Sequence, residues 1–365
     1  MLRDSVRGFL EKECPKSKVR KLEQEERGYD PEMWHKMAEQ LGLMGLVIPE
    51  EYRGTGGNFM DLVILIEEMG RNIVPGPFFS TVALCTLPIL EYGTSAQKKE
   101  FLPKIATGEA IWTLALTEPS LSYKASGVEL LASAEGERYI LKGTKLFVSD
   151  AHIADYLLVV ARTNKSEEKL TAFIVDAKSP GINVEVIPTI AHDKQCEVNF
   201  DGVSVPKNNI LGEEVHGWDI VNFILQRGTI LKCAEVMGGC QAVLEMTTTY
   251  AKDRVQFGHP IGSFQAIQHR MADMFIDVEG LQYLVYEAAW EISIGSPSNL
   301  HISMAKAKAN EIYQRTCIEG IRVHGAIGFT ADHNISLYFS RVKAAEFTLG
   351  DTDFYQERVA VELGL

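Results

Sequence analysis

The chain has 365 residues, 46% hydrophobic and 23% charged, with a formal net charge of −13, which fits a soluble globular protein large enough for two or three cores. That acidity argues against nucleic acid as a partner, although one or two well-placed arginines still suffice to hold a phosphate-bearing cofactor. No apolar run approaches the ~20 residues of a membrane span, the charged start Met1–Glu13 lacks the apolar stretch of a signal peptide, and the six cysteines form no C-x-x-C pair. With no histidine or cysteine cluster, no metal site is expected, and the compartment is read as reducing, most simply cytoplasm.

Residues 1–112 read as an N-terminal helical domain. Pro31 and Glu32 open an amphipathic stretch with Met33, Trp34, Met37, Leu41 and Leu43 on one side. Asp61–Gly70 and Thr81–Tyr92 give further helical patterns, and Ser95–Phe101 reads as a short helix capped at Ser95. The period changes near residue 113. Tyr139–Leu141, Lys145–Val148, Tyr156–Ala161, Thr171–Val175, Val184–Ile187 and Val198–Phe200 are short β-rich runs, separated by Glu135–Glu137, Thr163–Lys169 and Ser179–Gly181. Six such runs predict a compact β-barrel or sandwich over 113–215 rather than βαβ units. From 216 to 365 the helical period returns. Helices are expected over Ile220–Arg254, Phe264–Ile294, 300–323 and Asp332–Glu346, apolar on several sides as in a bundle or subunit interface.

Gly54-Thr55-Gly56-Gly57 is glycine-rich, yet it lacks both P-loop spacing and the strand–turn–helix context of a dinucleotide fingerprint, and reads as a loop. The informative segment is Arg254-Val-Gln-Phe-Gly-His-Pro-Ile-Gly-Ser-Phe-Gln, running on to Ala272-Asp273-Met274. A long helix ends near an arginine, the chain turns through Gly258 and Pro260, and a helix restarts at a glutamine. This closely resembles the R-x-x-F-G-x-P-I-x-x-F-Q-x-x-Q…A-D-M segment of the acyl-CoA dehydrogenase family. Thr117-Glu118-Pro119 resembles that family's T-E-P turn, Gly143-Thr-Lys-Leu-Phe-Val-Ser-Asp its G-x-K-x-W-I-T-N strand, and Val323-His-Gly-Ala-Ile-Gly-Phe-Thr its H-G-G-I-G-F-T turn. Ile48-Pro-Glu-Glu-Tyr with the following glycines matches the loop after its early helices, so the resemblance spans the whole chain.

The resemblance implies an α+β architecture of N-terminal helical domain, middle β-barrel and C-terminal four-helix bundle, and it implies FAD. By position, Leu116, Thr117, Phe147 and Ser149 line the flavin ring, with the Ser149 hydroxyl near N5. Arg254, Gln256, Phe257 and Gln265 hold the pyrophosphate and adenosine of an FAD bound mainly by a neighbouring subunit, with Gly325 in the glycine turn and Arg322 where a glutamine usually contacts the cofactor. Without the resemblance, Phe147 would be a core aromatic and Arg254 a helix C-terminal arginine favoured by the dipole. The implied partners are an acyl-CoA substrate, an electron-transferring flavoprotein as acceptor, and other subunits of a tetramer.

Dehydrogenation of an acyl thioester needs a carboxylate to accept the α-proton while the β-hydrogen leaves as hydride. In most of the family it is the glutamate of a Y-E-G-T motif, and here Leu349 occupies that place within Phe347–Thr352. The alternative position on the long helix falls on Gly228. Asp351 is a weak substitute, two residues displaced, and otherwise a loop acid capping the residues after it. The family's E-P-G-A-G-S-D becomes Glu118-Pro-Ser-Leu-Ser-Tyr-Lys, placing Tyr123 at the substrate lip, while Thr229 replaces a substrate-contacting arginine and Arg227 lies two residues away. The favoured expectation is the companion subunit of a heterotetramer whose partner carries the base. A self-sufficient homotetramer with an unassigned base, another reaction on the same scaffold, and a non-enzymatic flavin- or CoA-binding scaffold stand as alternatives.

Overall fold

The computed structural model describes residues 1–163 and 169–365, so most of the expected separator at Thr163–Lys169 lies outside the described residues. Six helices come first: α1 (Leu2–Glu13), α2 (Lys16–Gln24), α3 (Pro31–Glu39), α4 (Phe59–Asn72), α5 (Leu87–Tyr92) and α6 (Ser95–Ala106), with a π-helix over Phe79–Thr86 leading into α5. Their starts follow local chemistry. The Asp30 carboxylate accepts the Glu32 N–H at 2.8 Å with Pro31 in the first turn of α3. At α6 the Thr94 hydroxyl accepts from the Gln97 N–H and the Gln97 side chain accepts from the Thr94 N–H. The cap thus lies one residue before the expected Ser95, because Gln97 can return the hydrogen bond that completes a capping box.

Among the described residues eight strands follow: β1 (Trp112–Ala115), β2 (Leu131–Glu135), β3 (Arg138–Ser149), β4 (Tyr156–Arg162), β5 (Leu170–Asp176), β6 (Ile182–Ile187), β7 (Gln195–Pro206) and β8 (Ile210–Leu211). Two runs expected as separate strands, Tyr139–Leu141 and Lys145–Val148, belong to the single strand β3. The strands form one sheet in the order β6-β7-β3-β2-β4-β5-β8, with β1 alongside β4. The expected β-barrel is not formed. Closure requires two neighbours for every strand and a consistent stagger, whereas β6 and β8 end the order at opposite edges. The two-residue β8 is too short to close anything, and β2 meets β4 only through Leu131 and Arg162. The middle region is an open sheet. Alternation along a strand reports which face is buried, and says nothing about whether the sheet's edges meet.

The remaining elements are α7 (Gly217–Asp253), the hairpin strands β9 (Val255–Gln256) and β10 (His259–Pro260), α8 (Gln265–Ser293), α9 (Asn299–His324), α10 (Ile335–Phe347) and α11 (Thr352–Glu362). Helix α9 packs against α8, α10 and α11, so the helical group includes a fifth helix, α11, that the apolar pattern of Thr352–Glu362 does not announce.

The chain condenses into two compact units. One, called here the helical unit, comprises Met1–Lys21, Phe59–Val74 and Thr229–Leu365; the other, the sheet unit, comprises Leu22–Asn58 and Pro75–Gly228. Within the helical unit, α4 is drawn against α7 through two glycines: a side chain at Gly70 would overlap the Glu235 carbonyl, and one at Gly238 the Glu67 carbonyl. Beside this contact the buried carboxylates of Glu67 and Glu68 receive Arg3, Arg7 and Tyr286. Buried charges need such partners, since an ion left unpaired in the interior costs several kcal/mol. The period change at residue 112 does not reveal this grouping, which depends on contacts between distant helices. Among the described residues no helix is long and apolar enough to cross a membrane, and no His, Cys, Asp or Glu group fits a metal ion.

Candidate functional site

In the sheet unit, β1 delivers Leu116 and Thr117 to a turn that is fixed from beneath. Glu118 and Lys145 are both buried, with Lys145 Nζ donating to Glu118 Oε1 at 2.6 Å and to the Leu116 carbonyl at 3.1 Å. The carboxylate also accepts the N–H groups of Glu129 at 2.7 Å and Leu130 at 3.1 Å. Burial pulls the Lys145 ammonium down to about 8, opposed by the attraction of Glu118. Both residues stand inside the recognised motifs, yet the sequence does not disclose that they pair, because they lie on different elements.

The same pair positions the end of β3. Its ladder to β7 shifts register between Lys145 and Val148, so Leu146 and Phe147 fall in a bulge, and the Leu146 N–H instead donates to the Thr117 carbonyl at 2.8 Å. Phe147 takes a left-handed φ of 52° and is 48% exposed. A bulge re-aims side chains, and a left-handed aromatic residue stores strain of about 1–3 kcal/mol that the surroundings must hold in place. Two residues on, the Ser149 hydroxyl accepts from Gln195 Nε2 at 3.1 Å, and its carbonyl accepts from the Thr113 hydroxyl at 2.5 Å. Leu116, Thr117, Phe147 and Ser149 are thus gathered by two neighbouring segments, β1 and the bulged end of β3.

In the helical unit, α7 ends at Asp253 and the chain reverses through β9 and β10. Gln256 pairs with His259, and the two residues between them, Phe257 and Gly258, have φ of 54° and 81°. Positive φ at both central positions defines the tight hairpin turn whose twist matches its strands. It leaves Phe257 92% exposed, with its ring edge-on to Phe264 at 6.2 Å. Arg254 is exposed beside it, and among the described residues its guanidinium has no hydrogen-bond or ion-pair partner; Gln265 opens α8. Gly325 ends α9 with φ of 67°. Arg322 differs from Arg254 in being engaged: it donates to Glu319 at 2.5 Å, a carboxylate that Arg270 also contacts.

The positions expected to carry the base are structured without one. Leu349 adopts φ of 62°, and its carbonyl accepts the Tyr355 hydroxyl at 2.8 Å, which is also 2.8 Å from the Thr229 hydroxyl. Tyr355 is buried, and a side chain at Gly350 would collide with its ring. Thr229 and Leu349, two of the departures noted in the sequence, are therefore joined by one tyrosine, which sequence reasoning missed because α11 was not foreseen. Asp351 caps α11, its carboxylate accepting the Phe354 N–H at 2.9 Å. Glu346 is held by Lys343 at 2.5 Å and Thr352 at 3.2 Å. Lys306, fully buried, donates to the Ala345 and Glu346 carbonyls at 2.7 and 3.2 Å and so closes the end of α10. In the sheet unit, Gly228 is buried, Tyr123 is half-buried, and Arg227 lies over the Phe223 ring at 3.5 Å.

Comparison with known proteins agrees along the length of the chain. The N-terminal, middle and C-terminal domain models of acyl-CoA dehydrogenase match residues 1–109, 113–203 and 215–363. The probable acyl-CoA dehydrogenase YngJ of Bacillus subtilis is 31% identical, covering 100% of this chain and 97% of that protein. Among solved structures, butyryl-CoA dehydrogenase from Megasphaera elsdenii superimposes with a TM-score of 0.93 at 29% identity, over 100% of this chain and 97% of that one. The ChsE4-ChsE5 complex from Mycobacterium tuberculosis contains a chain matching with a TM-score of 0.90 at 27% identity, over 100% and 96% of the two chains. The chain belongs to the acyl-CoA dehydrogenase family, whose members use an FAD site of this fold for α,β-dehydrogenation of acyl-CoA thioesters.

Proposed function

We propose that this chain is the companion subunit of a heteromeric acyl-CoA dehydrogenase: it holds part of an FAD and leaves removal of the α-proton to a partner chain. The observation that carries the reading is the neutral bridge from Thr229 through Tyr355 to the Leu349 carbonyl, at the place where the family resemblance puts a carboxylate. The acids on either side are engaged elsewhere, Asp351 in capping α11 and Glu346 with Lys343 and Thr352. A base must reach the proton it abstracts, and among the described residues the bridge itself presents hydroxyls and a carbonyl rather than a carboxylate.

The residues fit the cofactor in their chemistry. A guanidinium fork without an internal partner at Arg254 suits diphosphate oxygens, and Phe257, held in solvent by a tight turn, offers an apolar face for a dinucleotide or a neighbouring subunit to cover. Phe147, Thr117, Leu116 and Ser149 offer an aromatic ring, hydroxyls and an apolar wall of the kind a flavin ring needs. When bound, the flavin supplies the hydride acceptor; this chain's own residues bind, orient and exclude water. Association with further subunits is supported by exposed Phe275, Ile276, Tyr283 and Trp290 along α8. The likeness to a chain of a two-component complex supports it as well. An electron-transferring flavoprotein completes the scheme as electron acceptor.

The test is anaerobic mixing with a panel of acyl-CoA esters, following flavin absorbance for the chain alone and for the chain co-expressed with a second family member that carries the Y-E-G-T motif. Bleaching confined to the co-expressed complex is expected. Bleaching by the chain alone would overturn the companion reading and make Asp351→Asn the next variant.

A further inference from the structure

We infer that Asp193 and Gln195 form a relay that sets the reduction potential of the bound flavin: the Asp193 carboxylate, acting through the Gln195 amide on the Ser149 hydroxyl, holds the flavin towards its oxidised form. The inference rests on the flavin-binding reading above, and neither residue lies in the segments that carry the family resemblance. Both are positioning residues, which reach the cofactor only through Ser149. The sheet sets the geometry. Ser149 ends β3 and Gln195 opens β7, and the two are direct partners in the ladder, so their side chains stand beside each other on one face. Gln195 Nε2 donates to Ser149 Oγ at 3.1 Å and to Asp193 Oδ2 at 2.6 Å. A carboxylate oxygen only accepts, so the nitrogen of the amide must face Asp193. Its second hydrogen then falls to Ser149, whose oxygen is engaged as an acceptor while the hydroxyl keeps one hydrogen to give. Gln195 Oε1 lies 3.3 Å from that hydroxyl, long for an O–H···O bond, and a flavin edge competes for the hydrogen on favourable terms.

The carboxylate is fixed in place and left without a counterion. The Thr189 hydroxyl donates to Asp193 Oδ1 at 2.6 Å, and the Asp193 carbonyl accepts the Gln195 N–H at 3.2 Å, in a loop turned by His192 at a φ of 57°. Among the described residues no cation pairs with Asp193, whose side-chain partners are Thr189 and Gln195. The neighbouring charges point elsewhere: Lys194 donates to the Glu23 carbonyl at 3.1 Å, and Asp150 accepts the Ser80 hydroxyl at 3.1 Å. A loop-capping acid would need only the Thr189 contact, whereas here the second oxygen orients the amide that touches Ser149. An unbalanced negative charge two hydrogen bonds from Ser149 pushes electron density onto its oxygen. It also opposes the negative charge a flavin gains on reduction. Thr189 moderates the effect, because the bond it donates draws charge to the far side of the carboxylate.

The test is the midpoint potential of bound FAD, measured by equilibration with a reference dye on the FAD-loaded protein, co-expressed with its partner where that is needed for flavin retention. Asp193→Asn should make the flavin easier to reduce, shifting the equilibrium about tenfold, or about 30 mV upward for a two-electron couple. Thr189→Val removes the other donor to the carboxylate and should shift the potential the opposite way, to lower values. A merely loosened loop would move both variants alike. In a Ser149→Ala background Asp193→Asn should lose most of its shift. Gln195→Met cuts the relay while keeping the carboxylate; it should also raise the potential, and it replaces Asp193→Asn if that variant releases its flavin. The inference is overturned if these substitutions leave the potential of the retained flavin unchanged, or if Asp193→Asn and Thr189→Val move it in the same direction. It is also overturned if the Asp193→Asn shift persists undiminished without the Ser149 hydroxyl, which would make Asp193 a charge acting through space. Failure of the wild-type protein to retain FAD, alone and with its partner, would instead overturn the flavin-binding reading itself.

Discussion

In the sheet unit a carboxylate and an ammonium are buried face to face, Glu118 against Lys145, and the bulge that turns Phe147 outward is built on them. In the helical unit the Leu349 carbonyl is bridged through neutral groups, the hydroxyls of Tyr355 and Thr229, while the charged Lys306, Glu346 and Asp351 hold the ends of α10 and α11 on either side. Both arrangements fix a left-handed residue, Phe147 in one and Leu349 in the other. On the proposed function, the first keeps charge beside the residues offered to the flavin, and the second puts a neutral bridge where the family resemblance expects a carboxylate. A chain under no demand to bind flavin would have little reason to maintain a buried ion pair, since apolar residues of similar volume serve stability as well or better. If the companion-subunit proposal holds, the contrast marks the point where this chain keeps cofactor binding and gives up proton abstraction.

The largest effect should come from breaking the charged arrangement on one side. Glu118→Ala strands the Lys145 ammonium in the interior and should cost about 3–5 kcal/mol in urea unfolding, with loss of bound flavin. Replacing both partners, as Glu118→Met with Lys145→Met, should restore most of the stability and none of the flavin. Recovery of both would mean the pair serves the fold alone. The neutral arrangement should yield less. Tyr355→Phe removes one hydroxyl from the bridge and should cost about 1–2 kcal/mol, read as a lowered thermal midpoint, while flavin content stays at the wild-type level. A large loss of flavin in that variant would erase the distinction between the two turns.

The smallest effect concerns acid. His324, ending α9, stacks with Tyr250 at 4.4 Å and lies 4.5 Å from His333, and burial lowers the pKa of both histidines from 6.5. The unfolded chain therefore takes up protons before the folded one as the pH falls. The stability these rings allow is complete above pH 6.5 and is lost progressively below it. Urea midpoints at pH 7 and pH 5 should show a drop for wild type that is smaller in His324→Phe. An equal drop in the two would remove these histidines from the account.

Where many of the expected site residues would lie in the fold could be read from the sequence, and the reason is local. Arg254, Gln256, Phe257, Gly258 and Gln265 lie within one helix–turn–helix segment, where the type of turn and the end of the helix are written in adjacent residues. The same holds for Phe147 and Ser149. What could not be read depends on distance along the chain. Glu118 and Lys145 meet only because β1 and β3 are neighbours in the unit, and Tyr355 reaches Thr229 from a helix whose mixed composition gave no apolar stripe. The open sheet was hidden for a related reason. Runs such as Val184–Ile187 reveal an alternating face, and whether the sheet closes is decided by edge strands as short as Ile210–Leu211.

The glycine contact between α4 and α7 turns the long helix into a ruler. Gly238 is pinned at the Glu67 carbonyl, and Arg254 follows sixteen residues later, about 24 Å along the axis at 1.5 Å per residue. Adding or deleting one residue between them would swing the arginine by about 100° as well as shifting it. The span from Gly238 to Arg254 should therefore tolerate substitution far better than a change in length.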